Sequence, residues 1–161
     1  MQKTTYTVDR ENKTIHVDRT FDAPLAQVWQ AWTDHTIMDQ WWAPKPWHAR
    51  TKTMDVRPGG MRLYAMVSPE GQDHWSKQEF RLVEPMKRLE WQDCFCDEQG
   101  NRNMAFPTTH WQVDFTGNGH STRVHTTMTF ETIEALEQLV NMGFKEGYAM
   151  AHENLDAILK S

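Results

Sequence analysis

A chain of 161 residues suits one domain with a single sizeable core and is short for two. With 39% hydrophobic and 24% charged residues, no apolar run of membrane-spanning length and only two cysteines, it reads as a folded globular protein rather than a disordered, membrane-spanning or disulfide-framed one. Seventeen basic and 22 acidic residues, net −5, are spread without a basic cluster, so nucleic acid is not an expected partner. The first residues, MQKTTYTVDRENK, lack the basic start and apolar stretch of a signal peptide, so the expected location is cytoplasmic. Eight Trp and ten Met set the composition apart. Such side chains fill irregular cores, and they also line adaptable apolar pockets.

Residues 1–13 form an extension or an extra strand. The triplet VDR stands at 8–10 and again at 17–19, by chance or as two arms of a hairpin. TIHVDRTF, residues 14–21, alternates Ile15, Val17, Arg19 and Phe21 against polar neighbours, the pattern of a half-buried strand. DAPLAQVWQAWTD follows, with Asp22 placed to cap, Pro24 near the first turn, and Leu25, Val28, Trp29 and Trp32 at helical spacing. A second short helix over HTIMDQWW ends before Pro44, because a residue preceding proline is pushed away from helical angles.

From about 48 to 130 the pattern is strand after strand: HARTKTMDV, MRLYAMV, HWSKQEFRLV, RLEWQDCF, THWQVDF and TRVHTTMTF. Short turn-rich spacers, such as RPGG, PEGQD, EPMK, DEQGN and TGNGH, favour an antiparallel meander. The last thirty or so residues are helical again, with Leu136, Val140, Phe144, Gly147, Ala151, Leu155 and Ile158 on one stripe. Gly143 and Gly147 either bend that helix or let something approach its backbone closely. The order predicts an α+β fold: a curved antiparallel sheet wrapped around a long C-terminal helix, with a cavity between them.

Candidate cavity residues follow from which side chains share a face. Leu89, Trp91, Asp93 and Phe95 alternate together, which sets the Asp93 carboxylate among apolar neighbours. Arg19 shares its face with Ile15, Val17 and Phe21. Asp93 and Arg19 either satisfy themselves, as a structural ion pair would, or anchor a ligand's polar group. Tyr64 and Met66 are wall candidates on MRLYAMV. On HWSKQEFRLV, Glu79 and Arg81 share one face and Phe80 and Leu82 the other, unless a bulge reverses part of it; Glu79 is carried as a cavity candidate. Of the indoles in DQWWAPKPW, Trp41 reads as core, Trp42 points away from it and either packs as core or faces the cavity mouth, and Trp47 is a lid or an edge plug. Full burial of one such ring gains roughly 4–6 kcal/mol before opposing terms, so packing alone accounts for a buried pair. The C-terminal helix turns Phe144, Tyr148 and Ala151 towards the sheet with Gly147 between them, either for close helix–sheet packing or to leave space for a ligand with Phe144 and Tyr148 as walls.

No metal or cofactor is expected. The eight histidines and two cysteines form no zinc pattern, and every nucleotide-binding signature is absent. His110, Gln112 and His125 fall on the solvated face, while His74 and His152 are placed near a cavity end without a visible partner.

TFDAPLAQVWQAWTD, QWWAP, MDVRPGG, the MVSPEG turn, RLEW, DEQGN and MGFKEGY..AHENLDAIL, in this order and spacing, resemble the heat-shock-protein ATPase activator homologue family. That family lies in the START-like, helix-grip (SRPBCC) superfamily, and the resemblance covers roughly residues 14 to 160. It implies a helix-grip fold with a cavity for an apolar or aromatic small molecule, but no single reaction. Three functions stay open: a small-molecule binder, an enzyme of the polyketide cyclase or dehydratase type, and a co-chaperone-like interaction module. The chaperone reading is disfavoured, because the co-chaperones carry a further domain for which this chain has no room. A homodimer through a sheet edge stays open.

Overall fold

The computed structural model describes residues 4–160. Eight strands form one antiparallel sheet in the order β1-β2-β8-β7-β6-β5-β4-β3. In chain order they are β1 (Thr5–Asp9), β2 (Thr14–Phe21), β3 (His48–Met54), β4 (Met61–Val67), β5 (Asp73–Glu84), β6 (Arg88–Phe95), β7 (Thr109–Asn118) and β8 (Ser121–Phe130). Helices α1 (Leu25–Thr33) and α2 (His35–Trp41) follow β2, and α3 (Ile133–Asn141) and α4 (Phe144–Lys160) end the chain. This is the α+β helix-grip arrangement.

The N-terminal extension supplies an extra strand: β1 pairs with β2 as a hairpin, Val8 opposite Ile15. Residues 1–3 of that extension lie outside the described part. Helix α1 starts at Pro24 without any side-chain cap, so Asp22 does not play the capping part its position suggested. Asp34 does cap α2, accepting the Thr36 N–H at 2.9 Å. The C-terminal helical stretch is two helices rather than one. Thr132 caps the first through the Ala135 N–H, and the break falls at Gly143, whose φ of 83° suits only glycine without strain.

Inward side chains alternate along β2, β7 and β8 and register with their neighbours in rows across the concave face. One row runs Phe80, Trp91, Trp111, Met128, Ile15 over five adjacent strands. A neighbouring row runs Arg62, Gln78, Asp93, Thr109. In β5 the register shifts between Phe80 and Leu82. Ahead of that bulge Gln78 and Phe80 face inward; beyond it Val83, opposite Leu89, takes the inward side. No helix among the described residues is long and apolar enough to cross a membrane.

Candidate functional site

Between the sheet and α4 lies a cavity of about 300 Å³. The sheet contributes Tyr64 and Met66 from β4, Ser76 from β5, Asp93 and Phe95 from β6, Thr109 and Trp111 from β7 and Met128 from β8. Trp42 and Pro44, just past α2, close one side. Leu139, Met142 and Gly143 at the α3–α4 break, with Phe144, Gly147 and Tyr148 on α4, close the other. A Cβ built on Gly147 would meet Pro44 Cγ at 3.8 Å, so the missing side chain keeps that wall thin.

The rings around the cavity hold one another in place. Trp111 meets Tyr148 edge-on at 5.5 Å between centroids, and Phe144 stacks on Tyr148 at 5.2 Å. Trp42 Nε1–H donates to the Tyr64 hydroxyl at 3.1 Å. The hydroxyls of Tyr148 and Thr126 lie 2.9 Å apart. Burial raises both phenols above their ordinary range, so they stay neutral.

Asp93 is the carboxylate of this site. Its Oδ1 is sealed from solvent and has no hydrogen-bond partner, while the side chain still lines the cavity. Burial pushes it up to about 7, against the opposing pull of Arg62. Arg62 is fully buried but engaged elsewhere. It bonds Asp39 Oδ1 at 3.0 Å and Thr51 Oγ1 at 3.1 Å, and its guanidinium lies 4.0 Å from the Tyr64 ring centroid.

Six of the nine predicted cavity residues line it: Trp42, Tyr64, Met66, Asp93, Phe144 and Tyr148. Three do not. Glu79 points to the outer face, where its carboxylate lies 3.5 Å from Lys77 Nζ; ahead of the bulge the even-numbered residues of β5 face inward. Arg19 is buried on the concave face but under the far part of α4, held by Glu153 at 2.7 Å and Asp156 at 3.7 Å. It does not pair with Asp93. Trp91 lies beside the wall in the same inward row, stacked on Trp111 at 5.3 Å and 16°, and does not line the cavity itself.

Trp111 and Met128 also line the cavity, on the face opposite the solvated His110, Gln112 and His125. Their place at the cavity depends on register with Trp91, which exists only once the strands pair. Pro107, Leu139 and Met142 had no sequence signal, because the mouth they form comes from the helix break. His152 is buried beneath Tyr148, with centroids 4.2 Å apart, and does not reach the cavity. Burial and the Arg19 charge push it down to about 3, so it is neutral. Burial also raises the Cys94 and Cys96 thiols, the latter to about 11, so neither is a ready thiolate nucleophile at neutral pH. Among the described residues no group of three or more His, Cys, Asp or Glu is placed to hold a metal.

The sequence profile of the family described as Activator of Hsp90 ATPase homolog 1-like protein matches residues 22–160. The chain belongs to this family. Solved structures superpose on this family member over nearly its whole length. A crystal structure from Mycobacterium smegmatis is 30% identical, with 98% of this chain and 96% of that one covered and a TM-score of 0.89. A solution structure from Arthrobacter aurescens is 31% identical, with 97% and 91% covered and a TM-score of 0.91. A third, from Staphylococcus epidermidis, is 26% identical at a TM-score of 0.84, with 96% and 93% covered. No curated protein sequence matches the chain.

Proposed function

We propose that the chain is one START-like domain, spanning 1–161, that binds a small hydrophobic or aromatic molecule in the cavity between sheet and α4. The observation that carries this is the cavity itself: about 300 Å³, walled by Trp, Tyr and Phe rings, with one unpaired carboxylate. Small-molecule sites have this make-up, a mostly apolar lining with few polar groups to orient the ligand, and this volume is at the small end of their range. Membership of a helix-grip family supports the reading.

A thermal-shift panel of aromatics, fatty acids, sterols and flavonoids tests it. At a hundredfold excess over its dissociation constant a ligand adds about 2.7 kcal/mol, a shift of about 5–10 °C for a domain of this size. A shift confined to one chemical class supports the reading, and a flat panel refutes it.

One observation favours a second reading, an enzyme of the cyclase or dehydratase type. A carboxyl near 7 at a cavity wall suits a proton donor or acceptor at neutral pH. On that reading Asp93→Asn abolishes turnover of a bound polyketide-like substrate without weakening its binding. Unchanged turnover would remove Asp93 from any catalytic part.

A further inference from the structure

The polar row beneath the cavity says what kind of molecule the site takes. Arg62, Gln78, Asp93 and Thr109 are register partners on four adjacent strands. Gln78 is 1% exposed, and neither its amide nitrogen nor its oxygen has a partner. Of the row, Asp93 and Thr109 reach the cavity. Arg62, the cation nearest in the row, makes its bonds to Asp39 and Thr51 and lies over the Tyr64 ring; its remaining nitrogen, Nη1, has no hydrogen-bond partner and makes no ion pair with Asp93. Arg62 forms its contact ion pair with Asp39 and acts on Asp93 only at longer range, which leaves Asp93 without an ion-pair partner.

Among the described residues no other element sets a countercharge on the cavity wall. α4 presents Phe144, Gly147 and Tyr148 to the cavity, α3 presents Leu139, and β7 presents Thr109 and Trp111. β4 presents Tyr64 and Met66, and β5 presents Ser76, while Lys77 and Glu79 face outward as a pair. Among the described residues no Lys, Arg or His nitrogen lies within 4.0 Å of an Asp93 oxygen. Around that lone carboxylate stand the rings of Trp42, Trp111, Phe144 and Tyr148. Ring faces attract cations, and an opposite charge turns a costly buried carboxylate into a hydrogen-bonded pair. An anionic ligand would meet like charge, and a neutral one would leave the carboxylate uncompensated or protonated.

We infer that the cavity is selective for apolar or aromatic amines, with the ammonium on Asp93 and the hydrocarbon body among the rings. This rests on the reading of the cavity as a ligand site. Raised by burial, the Asp93 carboxyl ionises near neutrality, so a bound ammonium holds it ionised and binding strengthens as pH rises.

Three molecules with one body separate the possibilities: 3-phenylpropylamine, 3-phenylpropan-1-ol and 3-phenylpropionate, each titrated calorimetrically into the full chain at pH 8.0 and pH 5.5. The amine is expected to bind at least tenfold more tightly than the alcohol at pH 8.0, with the propionate weakest. Protonation of Asp93 at pH 5.5 cuts the amine's affinity about tenfold or more and leaves the alcohol's nearly unchanged. Asp93→Asn, which keeps the side chain's shape, erases the amine's advantage while the alcohol still binds. Equal binding of amine and alcohol at pH 8.0, or an amine preference that survives Asp93→Asn, overturns amine selectivity and leaves the cavity as a neutral-ligand site. If none of the three binds, the ligand-site reading falls with it.

Discussion

At the α1 end of the concave face, Trp32 fills the space between Phe21, Trp41 and Phe115, with ring centroids 4.5 to 6.0 Å apart. The buried cation there, Arg19, meets Glu153 and Asp156 from α4. At the α3–α4 end the materials are similar: Trp42, Trp91 and Trp111 beside a buried Arg62. Yet here the helix breaks, Gly147 withholds a side chain, about 300 Å³ stays open and Asp93 has no partner. The two ends teach that neither indoles nor buried charge mark a site by themselves. What marks it is open volume beside an unpaired polar group.

Truncation separates the ends most strongly. Trp32→Ala removes a ring packed on all sides and is expected to cost about 3–5 kcal/mol in denaturant unfolding. Phe144→Ala, at a wall already open on one side, is expected to cost about 1–2 kcal/mol while weakening ligand binding. Equal costs would mean that the cavity end is as tightly filled as the other.

Titration separates them by sign. Unfolded Asp93 ionises near 3.8 and folded Asp93 near 7, so between those values the folded chain keeps a proton that the unfolded chain has lost. Stability therefore falls as pH rises through that window, and Asp93→Asn removes the fall. The variant is expected to be about 2–4 kcal/mol more stable than the parent at pH 8 and level with it below pH 4. His152 works in reverse, from about 6.5 unfolded to about 3 folded, and so weakens the fold as pH drops across that interval. His152→Gln flattens the acid side of the curve and leaves the alkaline side alone. Urea unfolding from pH 3 to pH 9 on the three proteins checks both signs.

A similarly small effect belongs to the helix break. Gly143→Ala places a Cβ at φ 83° and is expected to cost about 1–2 kcal/mol, read as a lower melting temperature.

The elements themselves were legible because their signals are local. The span RLEWQDCF is β6 residue for residue, whereas β7 runs on through Thr116–Asn118 and leaves only Gly119 and His120 of the TGNGH stretch as the turn to β8. Alternation in β6 was enough to set Asp93 among apolar side chains. Arg19 shows where local reasoning stops: its pattern matches a cavity anchor, but its partners lie on α4, 134 positions along the chain for Glu153. Glu79 failed for a different reason, since one bulge beyond Phe80 decides which parity of β5 faces inward, and no residue type announces it. The break at Gly143 was visible as a glycine; that it opens the cavity mouth was not.

The most direct test follows the indole N–H signals of isotope-labelled protein in a ¹H–¹⁵N spectrum while a compound that raises the melting temperature is added. The account predicts that Trp42 and Trp111, on the cavity wall, shift with a common binding curve, and that Trp32 and Trp41, in the filled end, stay in place. Movement of Trp32 and Trp41 with Trp42 and Trp111 still would contradict it.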